Sequence, residues 1–158
     1  MVHRYVENDF AKDYKSTIGT SIMKKECSFK ELDSTVRFVI WDLAGQAQFK
    51  LVRKSYLANA EAGILVYDVT NRASFENIDK NWYIEIKKGS PNIALILVGN
   101  KIDLTENRVV SREEGESLAE KLQLIYIETS AKTGENINDA FKMLALQIIR
   151  KYIETQDI

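Results

Sequence analysis

Ile93-Ala94-Leu95-Ile96-Leu97-Val98-Gly99-Asn100-Lys101-Ile102-Asp103 is an unbroken apolar run that stops at a cluster of polar groups. Continuous apolarity without alternation marks a strand covered on both faces, as in a parallel sheet. Two further runs read the same way, Ala62 to Val69 and Leu124 to Glu128, and the latter ends in Thr129-Ser130-Ala131-Lys132. Between the runs the period changes. Phe75, Ile78, Trp82 and Ile86 step by three and four, which sets them on one helix face. Ser111-Arg112-Glu113-Glu114 has capping-box spacing ahead of Leu118, Ala119 and Leu122. Ile137, Ala140, Phe141, Leu144, Ile148, Ile149 and Tyr152 form a sustained last stripe, and Phe141 and Met143 belong to packing. Strands alternating with helices predict an α/β layered fold with a mostly parallel sheet. Ligands of such sheets sit at the carboxyl ends of the strands.

Upstream, Thr20 to Phe29 and Val36 to Trp41 read as an antiparallel hairpin across the polar turn Lys30 to Thr35. The second strand runs into Asp42-Leu43-Ala44-Gly45-Gln46. One proline, no repeat and no low-complexity tract make residues 1–158 a single domain. A net charge of −1 lacks the basic excess of a general nucleic-acid binder. The lone Cys27 rules out an internal disulfide, points to a reducing compartment and reads as a small buried strand residue. No run reaches the ~18 apolar residues of a membrane span, there is no signal peptide, and the last residues hold no cysteine for prenylation. The expectation is a cytoplasmic protein without an anchor of its own, at most peripheral to membranes.

The turns after the strands carry the chemistry. A carboxylate at Asp103 can accept from both N1–H and the exocyclic N2–H of guanine. Adenine offers no such donor pair and would leave the carboxylate unpaired, at a cost of ~1.5–3 kcal/mol. Lys101 and Lys132 can lay their methylene stems on opposite faces of a purine. The Ala131 backbone N–H is expected to serve guanine O6, with Asn100 and Ser130 tying the two loops together. Asp42 suits a water-mediated contact to Mg²⁺. Gly45 lets its N–H approach a γ-phosphate, and Gln46 is placed to orient an attacking water.

Taken together, N-K-I-D at Asn100 to Asp103, T-S-A-K at Thr129 to Lys132 and W-D-L-A-G-Q at Trp41 to Gln46 resemble a Ras-superfamily small GTPase, Rab-like, from Met1 to about Tyr152. The resemblance implies a three-layer P-loop NTPase-type fold and a GTP/GDP switch that hydrolyses GTP with Mg²⁺. It also implies exchange factors, GTPase-activating proteins and effectors as partners. Asp13-Tyr14-Lys15-Ser16-Thr17-Ile18-Gly19 resembles switch I, which assigns Thr17 to Mg²⁺ and the γ-phosphate. Trp41 and Tyr56 match two members of an effector-binding aromatic triad, and Ile22 stands in for the third, a phenylalanine. Ala47 replaces the glutamate that usually follows the glutamine. These departures leave effector identity and hydrolysis rate open.

One part of the family pattern is missing. No G-x-x-x-x-G-K-[ST] stretch occurs in the 158 residues. The expectation is an N-terminally incomplete domain, short of a P-loop and the central first strand, roughly 13–15 residues. The resemblance places that strand between Val36–Trp41 and Ala62–Val69, and the remnant helix, about Val2 to Glu7, is too short to stand alone. Five charge-assisted phosphate contacts at ~1.5–3 kcal/mol each correspond to at least ~10⁵-fold in affinity, so the 158 residues alone are expected to bind GTP poorly or not at all and to be inactive without an upstream P-loop. Three readings stay open: a complete GTPase in which Met1 is an internal methionine, a P-loop-less pseudo-GTPase that serves as an interaction module, or a fragment without stable function. His3 and the interrupted basic stretch Lys12, Lys15, Lys24, Lys25 read as solvated surface.

Overall fold

The computed structural model describes residues 1–10, 20–43 and 57–156. Within them the apolar runs are strands, displaced by a residue or so from their sequence limits. Strands β3 (Ala62–Asp68), β4 (Ala94–Asn100) and β5 (Ile125–Thr129) form a parallel sheet in that order. Strands β1 (Thr20–Phe29) and β2 (Ser34–Leu43) form the antiparallel hairpin, which extends beyond the apolar core of its second strand. A 3₁₀ turn, Lys30–Leu32, and a left-handed Asp33 close it. Among the described residues the two sheets are not hydrogen-bonded to each other: β2 pairs with β1 alone and β3 with β4 alone.

Helices surround the sheet. Helix α1 (Val2–Glu7) precedes the hairpin. Helices α2 (Arg72–Asn77) and α3 (Tyr83–Gly89) are joined through a π turn, Ile78–Trp82, which an i, i+3, i+4 pattern does not distinguish from plain helix. Helix α4 (Arg112–Leu122) opens on the expected capping box, with both Ser111–Glu114 bonds made. Helix α5 (Ile137–Gln156) closes the described chain.

Strand β4 explains the layering. Its side chains alternate between two apolar clusters, so neither face meets water. Ile96 and Val98 pack with Ile137, Ala140, Phe141, Leu144 and Ala145 of α5 and with Tyr5, Cys27 and Phe38. Leu95 and Leu97 pack with Leu65, Tyr67, Ile78, Ile86, Leu118 and Ala119 on the opposite side. The result is the three-layer α/β arrangement expected from the strand and helix order.

The short α1 is held by its tyrosine. Tyr5 stacks on Phe141 at 3.7 Å between ring centroids, and Phe38 meets both rings edge-on. Two expectations about burial need correction. Lys25 does not stand free in solvent, because its Nζ donates to the Val6 carbonyl at 3.2 Å and lies over the Tyr5 ring. Tyr152, counted in the α5 stripe, is exposed because α5 outruns the apolar cluster, whose last packed residue on that helix is Ile148. Among the described residues no helix is long and apolar enough to cross a membrane.

Candidate functional site

The carboxyl ends of β3, β4 and β5 lie side by side, with Asp68 opposite Asn100 and Asn100 opposite Thr129 in the register. This juxtaposition brings the two polar turns into contact. Asn100 Oδ1 accepts from the Thr129 hydroxyl and from the Ala131 backbone N–H, each at 3.1 Å. The Ser130 hydroxyl donates to Asp103 Oδ1 at 2.6 Å and accepts from the Thr133 N–H. A backbone bond from Ile102 N–H to the Thr129 carbonyl completes the tie. One expectation changes here: the Ala131 N–H is not open for guanine O6, because Asn100 already uses it, so it must bifurcate to serve a base.

Asp103 has the environment a base-reading carboxylate needs. Its side chain is 13% exposed, and Lys132 Nζ stands 3.9 Å from Oδ2. Oδ1 carries the serine bond while leaving a lone pair, and among the described residues Oδ2 has only that distant ammonium, so both oxygens keep acceptor capacity towards those residues. Lys132 is itself exposed. Lys101 adopts a left-handed φ of 71° directly after the strand, and its Nζ pairs with Asp68 Oδ2 at 2.6 Å.

Arg4 of α1 is a contributor the sequence reading missed. Its guanidinium donates to the Ala131 carbonyl at 2.9 Å and the Lys132 carbonyl at 2.7 Å, and also to the Asn8 carbonyl. One rigid fork therefore holds the back of the T-S-A-K turn. No local signal announces a pairing 127 residues apart.

A second support lies beneath the turn. Buried Glu128 makes a two-pronged ion pair with Arg108, at 2.7 and 3.1 Å, and also accepts from Tyr126 Oη at 3.0 Å. Tyr126 Oη in turn meets Tyr67 Oη at 2.7 Å. Burial raises both phenols above the ordinary tyrosine range, and their hydrogen bonds and the Glu128 charge modulate that rise. Glycines at 99 and 115 make room for the hydroxyl pair, since a Cβ at either position would crowd it.

On the hairpin, Ile22 and Trp41 are direct cross-strand partners and are 53% and 40% exposed. Asp42 is half-buried near the end of β2, opposite Ser21. Thr17, Gly45, Gln46 and Tyr56 lie outside the described residues. No group of three or more His, Cys, Asp or Glu is gathered as a metal cage among the described residues. Mg²⁺ beside phosphates needs no such cage: it keeps several waters and takes one or two protein oxygens. The Asp42 carboxylate is a donor of the right hardness for that role.

The family model described as "Ras family" matches residues 1–150. The chain belongs to the Ras family. Among its Ras-family relatives is Ras-related protein Rab-1 of Theileria parva, 41% identical over 143 residues, covering 90% of this chain and 64% of the relative. Ras-related protein RABF2a of Arabidopsis thaliana is 40% identical over 151 residues, with 95% and 74% covered. Ras-related protein RIC1 of Oryza sativa subsp. japonica is 41% identical over 146 residues, with 92% and 71% covered. The chain is thus a Rab-like member of the superfamily. It spans 64% of the length of the Theileria relative.

Proposed function

We propose that this chain is the guanine-nucleotide domain of a Rab-type GTPase, a GTP/GDP switch that hydrolyses GTP and works in membrane trafficking or signalling. The observation that carries the reading is the tie between the two strand-end turns, with Asp103 and Asn100 bound to Ser130 and Ala131. It brings a half-buried carboxylate, a backbone N–H and two lysine stems to one place. Guanine uses all of them. N1–H and N2–H donate to Asp103, O6 shares the Ala131 N–H, and the ring lies between Lys101 and Lys132.

At the other end, Thr17 and, through water, Asp42 would hold Mg²⁺, which supplies charge neutralisation at the phosphates. Gly45 presents its N–H to the γ-phosphate and Gln46 orients the attacking water. Effectors and regulators meet the hairpin face that carries Ile22 and Trp41, and Tyr56 is assigned to the same role by the family resemblance alone. Such a protein works in the cytoplasm and at the periphery of membranes.

Guanosine tests the base end without any phosphate. In ¹⁵N-resolved titrations of the 158-residue chain, guanosine should shift Asn100–Asp103 and Ser130–Lys132, and adenosine should not. Asp103→Asn should move the preference from guanosine to xanthosine, because an amide presents one donor and one acceptor. Equal response to guanosine and adenosine refutes the reading and leaves an interaction module without nucleotide as the alternative.

A further inference from the structure

The ion pair between Lys101 and Asp68 joins the turn after β4 to the end of β3. A left-handed lysine is uncommon, and here it follows β4 directly, at φ 71°. The turn sends its ammonium back to the neighbouring strand, 2.6 Å from Asp68 Oδ2. The other oxygen of Asp68 is occupied too: Oδ1 accepts the Thr70 N–H at 2.8 Å and the Thr70 hydroxyl at 2.7 Å. The carboxylate is thus braced on one side and committed to lysine on the other. Its side chain is 21% exposed, whereas that of Lys101 is 51% exposed. The anchor is seated and the aliphatic stem stays open.

Burial on its own would raise the Asp68 carboxyl, but Lys101 and Thr70 outweigh it and hold the group below its ordinary range. It therefore stays charged at neutral pH. A half-exposed ion pair adds little to folding stability. Its effect is to take a flexible side chain and fix its far end.

We propose that Asp68 is a positioning residue for base binding: by holding the Lys101 ammonium at the end of β3, it keeps the lysine stem as a preformed face for the purine. This rests on the guanine reading above. The edge of the base is read by Asp103, so Asp68 governs how tightly a purine is held and has no part in which purine is chosen.

The test is a double-mutant cycle on the 158-residue protein, with guanosine and adenosine as probes. Lys101→Met keeps the stem and removes the charge. Asp68→Asn should weaken guanosine binding ~3–10-fold while the guanosine-to-adenosine preference stays within about twofold. In the Lys101→Met background the same change should have no further effect. In the ligand-free protein, ¹⁵N spectra of the lysine ammonium groups should show a slowly exchanging Lys101 signal that Asp68→Asn abolishes. Thr70→Val, which removes only the hydroxyl brace, should show the same pattern at smaller amplitude and serves if Asp68→Asn lowers the melting temperature.

Additive effects in the cycle overturn the proposal, as does a change of base preference in Asp68→Asn. Absence of any guanosine preference in the unmodified protein overturns both this inference and the guanine reading. A retained preference with an additive cycle overturns this inference alone.

Discussion

Removing Arg108 is the sharpest way to test how the T-S-A-K turn is supported. Glu128 holds a buried carboxylate directly before Thr129 and Ser130, both fully buried. Arg108 meets it with two nitrogens at 2.7 and 3.1 Å. Breaking a buried pair by deleting one partner costs ~3–5 kcal/mol, because the remaining charge is left unpaired. Two observations lower that figure here. Arg108 is 25% exposed, so water reaches the site, and Tyr126 Oη still donates to Glu128 Oε1 at 3.0 Å. Loss of the Arg108 bond to the Val110 carbonyl works in the other direction. Arg108→Ala should therefore destabilise by about 2–4 kcal/mol. For a domain of this size that lowers the melting temperature by roughly 5–15 °C.

Urea unfolding followed by circular dichroism measures it, with Glu128→Ala and the double variant completing a cycle. The double variant should be far less damaged than the sum of the singles, by at least ~1 kcal/mol, since no charge is then stranded. A cost for Arg108→Ala below ~0.5 kcal/mol, or strictly additive singles, would show that the pair is a spectator and that the turn is held by other contacts.

Gly115→Ala should destabilise by ~1–3 kcal/mol in thermal unfolding, although alanine improves helix propensity by ~1 kcal/mol, because its Cβ would fall within 2.5 Å of Tyr67 Oη. A neutral or stabilised variant would mean the tyrosine pair yields freely. Acid should weaken the fold in part through Glu114, whose pKa is brought from 4.5 to about 2 by Arg72 first and then by the Ser111 backbone N–H. Depression in the folded state means this contribution is present above 4.5 and is lost as pH falls towards about 2. Glu114→Gln should flatten the stability-versus-pH curve across that window, and an unchanged slope would exclude the group. Arg4→Ala should speed amide exchange around Ser130–Gly134 with little change elsewhere, since it frees the carbonyls of Ala131 and Lys132. Uniform acceleration over the whole chain would instead mark Arg4 as a general stability residue.

The sheet was readable because a strand covered on both faces leaves no polar position, as in Ile93 to Val98, and neither a loop nor a surface helix could carry such a run. Ser111 and Glu114 likewise announced a helix start through a purely local rule. Of the site, a tie between the two turns through Asn100 and Ser130 followed from their places at strand ends, whereas the particular bonds of Ser130 to Asp103 and of Ala131 to Asn100 did not. The supports did not follow. Asp68 under Lys101, Arg4 behind Ala131 and Arg108 beneath Glu128 are contacts between ordinary charged residues on separate elements, and sequence periodicity carries no trace of them. The exposed Tyr152 failed for a related reason: an apolar stripe continues along a helix regardless of where its supporting sheet stops.

The tie closed by Asn100 is made entirely within the protein, its two accepted bonds each 3.1 Å long. A nucleotide entering between these turns would find little left to order, so little conformational entropy is lost there on binding. In the proposed switch the base end would then be a fixed reference, identical for a triphosphate and a diphosphate. Whatever distinguishes the two states of a switch built on this chain has to be written at the phosphate end, leaving recognition of the base indifferent to the signal.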